Sequence, residues 1–144
     1  MILSEFISKY QNKSIGFPGG MYRGECLSLV KQYILERYGI DPPPSGVGSA
    51  WGYWTNFPEP LPSHFGRIEY TPEDPPFLWP GDIVIWRKTP KMLNGHIAIC
   101  IDSNWPYGFV SFEQNWFRRS AGLVWHEYTP DIYGWLRSVE AGRQ

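Results

Sequence analysis

The sequence predicts an α+β fold in which N-terminal helices pack on one face of a five- to six-stranded antiparallel sheet. Three observations carry this expectation. Apolar residues recur at helical spacing as far as Gly39, the period changes to two from Gly81 onward, and a stretch dense in proline and aromatic residues separates the two regimes. Ile2, Leu3, Phe6, Ile7 and Tyr10 predict a short amphipathic helix over 2–12. The run Gly16-Phe17-Pro18-Gly19-Gly20 cannot continue it and reads as a turn. A second and stronger helix is expected from Gly24-Glu25-Cys26 through Leu29, Val30, Tyr33, Ile34 and Tyr38, stopping at Gly39, where a left-handed cap is favoured. Ten of the fourteen prolines then fall between Asp41 and Pro80, with Trp51, Tyr53, Trp54 and Phe57 among them. A long stretch of this kind inside a compact domain points to a functional surface, and its rings favour ordered packing. Residues 82–87, 96–102, 108–116, 122–128 and 132–137 follow as antiparallel strands joined by short turns.

The 144 residues predict one domain, 1–144, since a chain of this size buries a sizeable core only if it is not divided. A monomer is expected. Thirteen Lys and Arg against fourteen Asp and Glu leave a net charge of −1, which lacks the basic footprint of a nucleic-acid or anionic-membrane binder. No run reaches the roughly 20 apolar residues of a membrane span. The first residues show no basic start followed by an apolar run and cleavage site, so synthesis without an export signal is expected. Two cysteines, Cys26 and Cys100, are too few for a disulfide framework and are expected as free thiols. Eight Trp, nine Tyr and eight Phe suit an aromatic groove for sugars or peptides.

Cys26 stands at the start of the stronger helix, where unpaired N–H groups and the positive end of the dipole stabilise a thiolate and a developing oxyanion. A cysteine there is also an ordinary core residue, and both readings stay open on position alone. His96 opens a strand after Asn94-Gly95, sharing a face with the small residues Ala98 and Cys100, so another side chain has room to approach the imidazole. By the same alternation Ser111, Glu113 and Asn115 share a face of the next strand. A hairpin between these strands would set a carboxylate and an amide beside the imidazole, which a thiol nucleophile with a base requires.

Gly24-Glu25-Cys26-Leu27-Ser28-Leu29-Val30, Gly81-Asp82-Ile83-Val84-Ile85-Trp86, Gly95-His96-Ile97-Ala98-Ile99 and Glu113-Gln114-Asn115-Trp116, in this order, resemble the CHAP domain, the cysteine, histidine-dependent amidohydrolase/peptidase. The resemblance runs from about residue 20 to 137. It implies a papain-like α+β fold and, as in phage endolysins and bacterial autolysins, a peptidoglycan substrate cut at an amide bond. It makes Cys26 the nucleophile, His96 the general base, Glu113 the group that orients His96, and Asn115 a further polar member. Tyr22, Trp51, Trp54 and Trp116 are expected along the substrate groove.

Two positions depart from the family pattern. Many phage members carry an Asp-rich calcium loop before the nucleophile, whereas residues 16–23 hold no carboxylate, so neither metal nor cofactor is expected. The residue before the nucleophile, often Gln, is Glu25. Cys100, His64 and His126 are expected in structural or surface roles. The resemblance places the protein at the cell wall, as a lysin made in the host cytoplasm or as a virion-associated enzyme. Two other readings accompany it, a non-catalytic wall- or glycan-binding module on the same fold and a papain-like hydrolase of a soluble peptide.

Overall fold

The structure, a computed structural model, describes residues 1–17, 22–104 and 106–140; residues 18–20 of the expected turn, and Met21 of the carboxylate-free stretch, lie outside the described residues. Helices α1 (Leu3–Tyr10), α2 (Cys26–Tyr38), α3 (Gly52–Thr55) and α4 (Leu61–His64) precede the sheet strands β1 (Phe65–Glu69), β2 (Ile83–Trp86), β3 (His96–Asn104), β4 (Gly108–Glu113), β5 (Gly122–Glu127) and β6 (Ile132–Ser138). All six strands form one antiparallel sheet in the order β1-β6-β2-β3-β4-β5. The fold is the expected α+β arrangement.

Register explains why the helices dock where they do. Leu136, Ile83, Ile99 and Phe112 stand opposite one another across four strands. They and Ile85 and Ile97 present one apolar face, against which α2 lays Leu29, Val30, Tyr33 and Ile34, and α1 lays Phe6. The Phe6 ring meets Tyr33 and Phe112 edge-on at 5.1 and 6.1 Å. Each such side chain, fully buried, contributes about 1.5–3 kcal/mol relative to exposure. Helix α2 stops at Gly39, which adopts φ +68° and donates its N–H to Leu35 O at 2.9 Å.

The opposite face is buried as well, by Val84, Trp86, Ala98, Cys100, Phe109 and Trp135 with Leu78 over them. Tyr70, next to one edge strand, stacks on Tyr128, next to the other, with centroids 6.0 Å apart. The sheet therefore curls until its two edges approach, and its second face encloses a core of its own.

Three features differ from the sequence expectation. Strand β1 lies inside the proline-rich region; it pairs only with β6, so one side of it faces solvent and its apolar alternation is too weak to read. The short α3 and α4 carry too few turns for a helical period. Strand β4 ends at Glu113 rather than 116, because Asn115 takes φ +65° and leaves the extended region.

Asp82 is buried at the entrance to β2. Its carboxylate accepts a hydrogen bond from the Trp79 N–H (2.8 Å) and a forked pair from Arg137 of β6 (3.1 and 2.7 Å). Burial pushes the Asp82 carboxyl up, against the pull of Arg137. Arg137→Ala leaves that buried carboxylate nearly alone, and we expect a loss of about 3 kcal/mol in urea unfolding, with cleavage activity retained well below the melting temperature.

Candidate active site

Two local devices bring Cys26 and His96 together. Gly24, at φ +84°, turns the chain into α2; a Cβ there would come within 2.9 Å of Arg119 Cβ. Cys26 is consequently the first residue of the helix, at the end where the N–H groups of the first turn lack intrahelical partners. Gly95, at φ +65°, has no room for a side chain, since a Cβ there would lie 2.6 Å from Trp86 O, and it delivers His96 to the first position of β3.

Gln114 fastens the two parts. This fully buried amide accepts from the Ile15 N–H (2.6 Å) and donates to Ile15 O (3.1 Å) and to Glu25 O (2.9 Å), tying the residue before Cys26 to the end of β4. Sequence reasoning gave Gln114 no role, because its three bonds reach 89 to 99 residues back along the chain.

The His96 imidazole is buried between the rings of Trp86 and Trp116, whose centroids lie 5.2 and 4.9 Å away. Its Nε2 is hydrogen-bonded to Glu113 Oε2, which leaves Nδ1 for the Cys26 side chain. Burial alone would favour the neutral ring, but the hydrogen bonds of Cys26 and Glu113, and their charge, outweigh it and hold the His96 pKa up at about 9. Burial likewise opposes the Glu113 carboxylate, yet His126 and then His96 hold its pKa down at about 2. The result is a thiol, a base and a buried anion in series.

The remaining expected residues divide. Asn115 does not continue the face that carries Glu113; it is exposed, and its Nδ2 donates to Glu25 Oε2 at 3.2 Å. With the Arg119 guanidinium 3.0 Å from the other oxygen, it pairs the Glu25 carboxylate, which stays 41% exposed. The negative charge beside Cys26 is thus engaged and solvated. Trp116 walls the site, touching His96. Tyr22 is exposed in a groove of about 560 Å³ lined also by Lys31, Ser45 and Ala50; a second groove of about 600 Å³ runs past Met92, Asn115 and Phe117, and Cys26 lines both. Trp51 and Trp54 line neither groove. Trp51 carries Lys88 over its ring at 5.0 Å, and Trp54 stacks on Tyr133 at 6.0 Å, so both pack the proline-rich segment onto the body. That segment still reaches the first groove, through residues 44–46 and 48–50. Tyr53, whose hydroxyl donates to Pro43 O at 2.6 Å, and Asn56, whose Nδ2 donates to Ser45 O at 2.8 Å, hold it there.

His126 and Ser111 belong to the cluster as well: Ser111 lies on the Glu113 face, as its alternation predicts, whereas His126 is expected from the sequence in a structural or surface role. His126 Nε2 and Ser111 Oγ both bond to Glu113 Oε1. On β5 the apolar Leu123 and Trp125 are half exposed, and His126 points in. The ligand atoms of His96, Glu113 and His126 lie within 4.8 Å of one another. Each of these ring nitrogens is committed to the carboxylate, so we assign the group as a hydrogen-bond network.

Cys100 is fully buried, and burial pushes its thiol up. Iodoacetamide is therefore expected to alkylate Cys26, at the junction of the grooves, at least about tenfold faster than Cys100 in the folded protein. Peptide mapping by mass spectrometry checks this; equal rates would mean that Cys26 has no special reactivity.

Among solved structures, the chain is similar to the endolysin LysIME-EF1, with a TM-score of 0.68 and 24% identity over 92% of this chain. It is also similar to Ly7917, solved with the hydrolyzing product of MDP, with a TM-score of 0.58 and 18% identity over 87%. These likenesses show the fold, which the chain shares with those two structures. The chain spans 61% and 55% of the lengths of those two chains. No protein-family model and no curated protein sequence matches it.

Proposed function

We propose that the protein is a CHAP-type cysteine amidohydrolase or peptidase that hydrolyses an amide bond of bacterial peptidoglycan. The observation that carries this reading is His96, held between Cys26 and the buried Glu113 where two grooves meet. The likeness to an endolysin, and to a protein solved with the hydrolyzing product of MDP, supports the choice of substrate.

In this mechanism Cys26 gives its proton to His96 Nδ1, and the thiolate attacks the amide carbon. The N–H groups of the first turn of α2 stabilise the oxyanion. His96 returns the proton to the leaving amine, the C–N bond breaks, and a thioester remains on Sγ. Water, deprotonated by His96, then releases the acid and restores the thiol. Glu113 keeps the ring oriented and balances the imidazolium throughout.

Digestion of purified sacculi tests the proposal. New amino termini should appear with loss of turbidity; N-terminal alanine would identify the bond between sugar and stem peptide, and other termini a bond within the peptide. Activity confined to soluble peptides, with sacculi untouched, would overturn the wall substrate. Since the imidazolium partner is required, the rate is expected to fall as pH rises through about 9. A rate still climbing above pH 10 would remove His96 from the mechanism.

A further inference from the structure

We propose that His126 is a positioning residue that clamps the Glu113 carboxylate so that its other oxygen is presented to His96. The inference rests on the cysteine-hydrolase reading and extends it to a second histidine.

Glu113 is buried, and both oxygens are in use. Oε2 takes His96, and Oε1 takes His126 from β5 and Ser111 from its own strand. A carboxylate held at one oxygen only would be free to rotate about its last torsion, and His96 would lose a fixed partner. His126 cannot do this work by touching substrate, because it lines neither groove at Cys26 and is buried. Its ring is fixed by neighbours on three sides: it stacks on Phe109 at 5.3 Å, lies 4.7 Å from Trp86, and meets Trp116 edge-on at 4.6 Å. The same Trp86 and Trp116 rings flank His96. One aromatic box thus holds both imidazoles around one carboxylate.

A buried imidazole needs a hydrogen-bond partner wherever it sits, so satisfaction alone does not distinguish a clamp from a core histidine. Two further facts do. The partner is the same carboxylate that serves the base, and after burial the hydrogen bond from His126 is the first of the influences that hold that carboxylate ionised, ahead of the one from His96. The titratable groups acting on Glu113 are His96 from β3 and His126 from β5; Cys26 from α2 acts through His96, and the other ring neighbours, Trp86, Phe109 and Trp116, carry no charge.

The test uses His126→Phe, which keeps a ring but removes the donor, and His126→Gln, which returns an N–H donor. The first readout needs no substrate: the rate of Cys26 alkylation by iodoacetamide against pH. In His126→Phe, Glu113 protonates more readily, the imidazolium loses its anionic partner, and the acid limb should move up by at least about one pH unit. On sacculi, the turnover rate should fall roughly 10- to 100-fold with KM within about twofold, the range usual for groups that orient a catalytic side chain. His126→Gln should recover both readouts to within about threefold of wild type. If His126→Phe does not fold, Ser111→Ala strips the other donor from the same oxygen and should move the limb in the same direction. An unchanged alkylation profile in folded His126→Phe, or in Ser111→Ala where it stands in, overturns the clamp. Inactivity of the wild type on sacculi, with the profile shift still present, overturns the wall substrate alone.

Discussion

Cys26→Ala is expected to reduce the release of new amino termini from sacculi by at least about 10⁴-fold while leaving the fold intact. The size follows from chemistry: without the sulfur no thioester forms, and the remaining helix N–H groups and grooves bind without reacting. The fold survives because the substitution removes a single atom at a site open to a groove, where Cys26 is 8% exposed and little packing is lost. Cys26→Ser is expected to be nearly as inactive, because a hydroxyl with His96 as its base lacks the acidity of the thiol. Circular dichroism and urea unfolding should place both variants within about 1 kcal/mol of wild type. Wall cleavage by Cys26→Ala at more than a hundredth of the native rate would sink the thiol mechanism.

Glu113→Ala is expected to combine a large loss of activity with a large loss of stability. The carboxylate is the shared acceptor of His96, His126 and Ser111, so its removal leaves three buried polar groups without their partner. Removing one member of a buried ionic network typically costs about 3–5 kcal/mol. The pH dependence of stability should change with it. In the wild type the Glu113 pKa falls from 4.5 to about 2 on folding, so its contribution is present above pH 4.5 and is lost as pH falls toward 2. The His96 pKa rises from 6.5 to about 9, so its contribution is complete below pH 6.5 and is lost as pH rises through 9. The two shifts share the His96–Glu113 contact, with His126 adding to the first and Cys26 to the second, so they are not summed and stand for a network on the order of 3 kcal/mol. Full stabilisation by the pair is therefore expected between about pH 4.5 and 6.5. Urea midpoints measured across pH should show that plateau in the wild type, and its absence in Glu113→Ala. Equal pH dependence in the two proteins would mean that the network does not form.

Much of the architecture is legible from local patterns. The helical spacing up to Tyr38, the glycine that closes α2 and the short apolar runs of β2, β3 and β6 need only neighbours in sequence to be read. Strand β1 is not legible in this way: as an edge strand with one side in solvent, it is held by its pairing to β6 rather than by its own composition. Asn115 misleads for a different reason. Alternation continues past Glu113 on paper, but a left-handed residue ends the strand and sends the amide to Glu25. Trp51 and Trp54 read as groove residues because exposed and buried indoles look alike in a sequence, and only the folded chain shows them packing the proline-rich segment.

The placement of Cys26 at a helix start and of His96 at a strand start follows from short-range signals, each backed by a glycine that only a tight turn requires. The surroundings that make those two residues a site depend on partners far apart in the chain. Gln114 reaches back to Ile15 and Glu25, Asp82 is held by Arg137, and His126 turns inward while Leu123 and Trp125 face out. The last choice was unreadable because an edge strand has two faces, and the curl of the whole sheet, closed by Tyr70 against Tyr128, selects which of them is inside.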